Sequence, residues 1–222
     1  MHKSLQNLRF VENKVNELID KKQLKISPKI IVISKTFSLE KIKPLLETNH
    51  CHFGENKIQE AENKWSKIKI TKSNLQLHLV GKLQSNKAKR AVVLFDYIHS
   101  LDNKKLALKI SQYEKELDKK IKLFIQVNVG KEDQKTGIAP EELNNFYNYC
   151  SKELSLNIIG LMCLPPINSN SREHFKLLKK CAENLNLKEL SMGMSADFED
   201  AILNGSTYLR LGTLILGKRN ST

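Results

Sequence analysis

Eight times along this chain, a short run of β-favouring apolar residues is followed by a longer stretch with helical spacing. The runs are "KIIVIS" (29–34), "HCHFG" (50–54), "LQLHLVG" (75–81), "YIHSL" (97–101), "IKLFIQVNVG" (121–130), "LNIIGLMCL" (156–164), "KELSMG" (188–193) and "STYLRLG" (206–212). In the first of them Ile30, Ile31, Val32 and Ile33 do not alternate with polar residues, so a strand there is buried on both faces, as in a parallel sheet. Helices between successive strands force parallel crossovers. Eight such units in about 200 to 250 residues is the arithmetic of an α/β fold, the (β/α)₈ TIM barrel. A helical segment at the start of the chain adds an extra N-terminal helix. An open doubly wound sheet is the competing arrangement of the same units. No linker, low-complexity stretch or repeat marks a second domain, and Pro165-Pro166 reads as a turn, so 1–222 is expected to form a single domain.

Several function classes recede at this level. No apolar run approaches the ~20 residues that span a bilayer, and the N-terminus lacks the continuous apolar stretch of a secretory signal, so the expected location is cytoplasmic. Cys51, Cys150, Cys163 and Cys181 are scattered and do not suggest a disulfide framework. His50, Cys51 and His52 are consecutive. On a strand, neighbours point to opposite faces and do not converge on one ion, so no metal is expected. The formal charge of +13 invites a nucleic-acid reading. However, the lysines are dispersed, and no basic stretch is interleaved with aromatics for base stacking. Such a field solubilises the chain or attracts small anions.

In a barrel of this type the chemistry sits at the C-terminal ends of the strands. There the sequence places Lys35, then "FGEN" (53–56), "GKLQSNK" (81–87), "HSLD" (99–102), "GKEDQKTG" (130–137), "CLPP" (163–166), "GMS" (193–195) and "GT" (212–213). The last two loops contain Ser195, Gly212 and Thr213. Glycine lets a backbone approach an anion, N–H groups at a helix start favour negative charge, and a hydroxyl adds a donor. Taken singly, the Gly-Thr pair also reads as a turn with a helix cap, and Lys35 as a solvated lysine at a strand end. Taken together, an amine and a phosphate cradle suggest an aldehyde that carries a phosphate, and pyridoxal 5'-phosphate is such a ligand.

The stretches "VISKT", "HFGENKIQE", "HLVGKLQSNK", "IHSLD", "QVNVGKEDQKTG", "GLMCLPP", "LSMGMSADFEDAI" and "GSTYLRLGTLILGKR" run in order within the span from Ile30 to Arg219, the first starting at Val32. Together they resemble the pyridoxal phosphate homeostasis protein family, the single-domain relatives of the alanine racemase barrel. The resemblance implies that Lys35 is the Schiff-base lysine and that Asn56 lies beside the cofactor ring. Ser195, Gly212 and Thr213 would hold the phosphate, and Arg210 would face the pyridine nitrogen. As one cation among apolar strand residues, Arg210 needs a partner if it faces inward, whereas on a surface or beside a core carboxylate it would be structural. Facing the ring, its permanent charge would keep the nitrogen unprotonated and weaken carbanion chemistry on the cofactor.

In the larger relatives a tyrosine base comes from a second domain and a partner subunit. Only nine residues follow Thr213, and no second domain is expected here. Tyr97, Tyr113, Tyr147, Tyr149 and Tyr208 lie in strand or helix patterns, and none is placed by motif above the site. The expectation is therefore a non-catalytic pyridoxal phosphate carrier acting in homeostasis, with apo-enzymes as prospective recipients, and a monomer. A weak amino-acid racemase is the alternative. His78 reads as a hydrogen-bonded core residue or a lining of the barrel mouth, and Lys82, Asn86 and Lys87 as pocket or helix-cap residues. The sequons at Asn204 and Asn220 are without consequence in a cytoplasmic chain.

Overall fold

The computed structural model describes residues 2–130, 136–167 and 169–218. Eight parallel strands close into a barrel in chain order: β1 (Lys29–Ile33), β2 (His52–Glu55), β3 (Gln76–Leu79), β4 (Tyr97–Leu101), β5 (Lys122–Gln126), β6 (Ile158–Met162), β7 (Glu189–Ser191) and β8 (Tyr208–Leu211). Closure is made by β1 against β8, with Ile31 opposite Arg210 and Val32 opposite Leu211. The chain is therefore a (β/α)₈ barrel and not an open sheet. Helices α1 (Lys3–Lys22), α2 (Leu39–Leu46), α3 (Ile58–Thr71), α4 (Ala88–Leu94), α5 (Lys104–Glu116), α6 (Leu143–Asn148), α7 (Ser171–Asn184), α8 (Phe198–Leu203) and α9 (Thr213–Leu216) complete the described secondary structure, with short 3₁₀ and π turns beside α4 and α6.

Strand alternation sorts the side chains into two cores. Outward-facing residues such as Val32, Phe53, Leu77, Ile98 and Leu123 meet the helices in the main apolar core. Inward-facing Ile31, Ile33, Tyr97, Phe124, Met162 and Tyr208 form a separate cluster inside the barrel. The extra helix α1 packs against α9 and α2, and Asn7 Nδ2 donates to the Ile215 carbonyl at 3.0 Å.

Element boundaries depart from the sequence expectation in places. β2 begins at His52 rather than His50. The segment from Ser195 is not helical until Phe198, because the Asp197 carboxylate accepts the Met194 N–H at 2.6 Å and holds a turn. α9 stops at Leu216, before Gly217 at φ 86°. Residues 131–135 of the loop after β5, Arg219 and the sequon at 220–222 lie outside the described residues.

Candidate functional site

Lys35 follows β1 by two residues and is half-buried. The turn that carries it is heavily constrained. Ser34 is fully buried, and its Oγ donates to Glu55 Oε1 at 2.7 Å. Lys64 Nζ, from α3, donates to the Ser34 carbonyl at 2.8 Å and to Glu55 Oε1 at 2.9 Å. Trp65 Nε1 donates to the same oxygen at 2.9 Å. Thr36, immediately after the lysine, has φ 67°. A β-branched residue in the left-handed region stores strain, of order 1–3 kcal/mol, that surrounding structure must hold. Its N–H donates to Glu60, itself paired with Lys64 at 3.0 Å. No sequence pattern announces Thr36 or this clamp, because strain at one residue is set by contacts from β2 and α3.

Asn56 is the residue after β2 and is half-buried. β2 pairs with β1 through Val32–Phe53 and Ile33–Gly54, so Asn56 and Lys35 leave adjacent staves. Ser195 lies in the loop after β7, which turns at Gly193 with φ 91°. A Cβ at Gly193 would fall 2.5 Å from that of Ala201, so both the dihedral and the space call for glycine. Ser195 Oγ accepts the Leu214 N–H at 3.4 Å, joining this loop to the first turn of α9. Thr213, exposed, opens that turn, and Gly212 precedes it beside β1, where an added Cβ would stand 3.3 Å from the Ile33 carbonyl oxygen. Ser195, Gly212 and Thr213 thus share one rim, next to the stave that carries Lys35.

Arg210 is 4% exposed and faces the barrel interior, in register with inward-facing Ile31. Among the described residues it has no carboxylate partner. Its Nη1 donates to the Ser191 carbonyl at 2.6 Å and to Ser191 Oγ at 2.7 Å, and its Nη2 donates to the Cys163 carbonyl at 2.8 Å. Burial pulls the guanidinium below its ordinary pKa. Among the described residues no acceptor pairs with its Nε–H or with the second Nη2–H, so two of the cation's five donors are left over, the Nε–H among them.

The other sequence candidates fall elsewhere. His78 is a fully buried, hydrogen-bonded residue of the barrel interior. Lys82 and Asn86 line an outer cavity of about 550 Å³ with residues of α5, and Lys87 caps α4 without a side-chain bond. Among the described residues no group of three histidine, cysteine or acidic side chains is arranged to hold a metal. No described helix is long and apolar enough to cross a membrane.

The sequence profile for the alanine racemase N-terminal domain matches residues 21–220. A protein of Aquifex aeolicus named pyridoxal phosphate homeostasis protein is 36% identical over 200 residues, covering 86% of this chain and 87% of its own. Its namesake in Haemophilus influenzae is 31% identical over 225 residues, covering 96% and 95%. The chain belongs to the pyridoxal phosphate homeostasis protein family. The solved structure of PipY of Synechococcus elongatus PCC7942 with pyridoxal phosphate bound superposes with a TM-score of 0.79. It is 33% identical and covers 91% of this chain and 100% of that one. In this family member the fold brings β7, β8, β1 and β2 side by side, with an amine, two hydroxyls and a guanidinium N–H at or below their C-terminal ends.

Proposed function

We propose that this protein binds pyridoxal 5'-phosphate reversibly as a Schiff base on Lys35 and acts in intracellular homeostasis of that cofactor. The observation that carries the reading is the donor set at one barrel mouth. A lysine sits on a clamped turn, Ser195 and Thr213 on the neighbouring rim, and Arg210 below them has an Nε–H that no described residue accepts. The chemistry of these groups fits the cofactor's aldehyde, phosphate and ring nitrogen respectively. When bound, the cofactor supplies an aldehyde that condenses with an amine, releasing water. Lys35 provides that amine, Ser195 and Thr213 provide neutral donors to the phosphate, and Arg210 provides a cation that orients the ring. Asn56, on the stave beside Lys35, lies against the ring. The whole barrel acts as one binding unit.

A carrier role, with release to apo-enzymes, is favoured over catalysis by the positions of the tyrosines. Tyr97 and Tyr208 begin their strands, and their hydroxyls accept from Lys122 and Lys29 at 3.0 Å, at the barrel end opposite Lys35. Tyr113, Tyr147 and Tyr149 pack on the outer helical layer. None stands as a second base over the mouth.

The test is the visible spectrum of the purified protein with pyridoxal phosphate, for wild type and Lys35→Ala, before and after borohydride. The expected result is an absorption band that borohydride fixes onto Lys35 and that the variant lacks. A wild type without such a band overturns the reading. Turnover of L-alanine or D-alanine by the loaded wild type would overturn the carrier assignment while leaving the cofactor in place.

A further inference from the structure

Along the barrel axis three histidines and a serine make an unbroken chain of hydrogen bonds. His52 Nδ1 lies 2.9 Å from His78 Nε2, and His78 Nδ1 lies 2.9 Å from His99 Nε2. His99 Nδ1 lies 2.8 Å from Ser191 Oγ, the same oxygen that accepts from Arg210 Nη1. His78 and His99 are fully buried and stacked, respectively, on Tyr97 at 4.1 Å and Phe124 at 4.3 Å between ring centroids. The stacking fixes the ring planes. At the far end His52 is half-buried and lines a cavity of about 560 Å³ between α1 and the N-terminal ends of β1 and β2. The chain therefore runs from the ligand mouth to the opposite face of the barrel.

Such a chain has a direction. A neutral imidazole has one donor and one acceptor nitrogen, so three in series must all point the same way. Burial and the neighbouring cations keep the rings neutral: His78 and His99 are held well below the ordinary histidine value, and His52 is lowered to about 4. Lys29 and Lys122 act from the lower end and Arg210 from the upper. The acidic groups nearby are Asp96, felt at His52, and Glu189, felt at Tyr208. A guanidinium can only donate, and its charge repels the positive end of the Ser191 O–H dipole. The hydroxyl proton then faces His99 Nδ1, which puts the His99 proton on Nε2, and the same pattern repeats at His78 and His52.

We propose that His52, His78, His99 and Ser191 form a one-way hydrogen-bond relay that positions Arg210, anchoring its Nη1 so that the Nε–H is kept for the ring of the bound ligand. The ligand side of this inference rests on the pyridoxal phosphate reading; the relay itself does not. Ser191 and the histidines are positioning residues, acting through Arg210.

The first experiment uses ligand-free, full-length protein labelled with ¹⁵N, in two-bond ¹H–¹⁵N spectra. His78 and His99 are expected as neutral Nε2–H tautomers between about pH 5 and about pH 8. His99→Phe, which keeps a ring against Phe124 but has no nitrogen, should displace the Arg210 Nε resonance. His99→Gln, with a donor and an acceptor, should restore it. An Nδ1–H tautomer at either ring, a doubly protonated ring at neutral pH, or an unmoved Arg210 resonance overturns the relay. The second experiment measures pyridoxal phosphate affinity and its pH profile. His99→Phe is expected to bind at least about fivefold more weakly, with His99→Gln close to wild type. Equal affinities and superimposable profiles overturn the positioning role. If His99→Phe does not fold, Ser191→Ala removes the link to Arg210 and gives the same two readouts. A wild type that cannot be trapped by borohydride sinks the cofactor reading, and the ligand-free spectra still decide the relay.

Discussion

Arg210 is held by carbonyls and a hydroxyl where a core carboxylate would have been the simpler partner. A carboxylate would neutralise the guanidinium, whereas neutral acceptors hold it and leave its charge intact. The sequence marks Arg210 as an isolated cation in a strand, but its partners are Cys163, just after β6, and Ser191 of β7, 47 and 19 residues away. Lys35, Gly212 and Thr213 are more legible, because the exit of a buried strand can be seen locally. Ser195 is legible only as a hydroxyl in a loop; its bond to Leu214 spans 19 residues. A hydroxyl donor to a charged phosphate contributes about 1.5–3 kcal/mol. Ser195→Ala should therefore weaken pyridoxal phosphate binding by about tenfold or more while leaving thermal stability close to wild type. Equilibrium titration followed by absorbance, alongside a melting curve, checks both halves.

At the scale of elements, the exit of β1 is tied to β2 and α3 by one buried carboxylate. Glu55 is fully buried, and its Oε1 receives bonds from Ser34, Lys64 and Trp65, while Lys64 is itself 9% exposed. Removing one partner of such a pair leaves an uncompensated charge. Glu55→Ala should destabilise the protein by about 3–5 kcal/mol, read as a lower urea midpoint. Glu55→Gln should fold better than Glu55→Ala and still loosen the Lys35 turn, lowering the rate of borohydride-trappable attachment at saturating cofactor. An unchanged urea midpoint in Glu55→Ala would show that the clamp is dispensable. The alternation of β and α segments was readable from residue pattern, since period and length are local properties. The role of "GEN" as a clamp was not, because a glutamate at a strand end looks the same whether it faces water or a buried lysine.

For the whole molecule, the interior of the barrel makes stability depend on pH. His52, His78 and His99 are neutral in the fold and lie below their ordinary values because of burial, with neighbouring charge second. In the unfolded chain they titrate near about 6.5. Between that value and about 4, where His52 titrates in the fold, the unfolded state binds more protons. Stability from this source is complete above about pH 6.5 and falls as the pH falls towards about 4 and beyond. Melting temperatures taken down this range should decline in the wild type and decline less steeply in His78→Phe. A flat profile in the wild type would mean that the buried rings can be charged at no cost. The sequence by itself determined the eight β-then-α units, their parallel sense and the strand ends at which Lys35, Asn56, Gly212 and Thr213 emerge, because periodicity and strand exits are written in neighbouring residues, while closure of those units into a barrel rests on the pairing of β1 with β8. Only the tertiary structure decided that His52, His78 and His99, 26 and 21 residues apart in turn, meet nitrogen to nitrogen on the axis and reach Arg210 through Ser191. That contact depends on barrel closure and on the register of five separate strands, which no local pattern encodes.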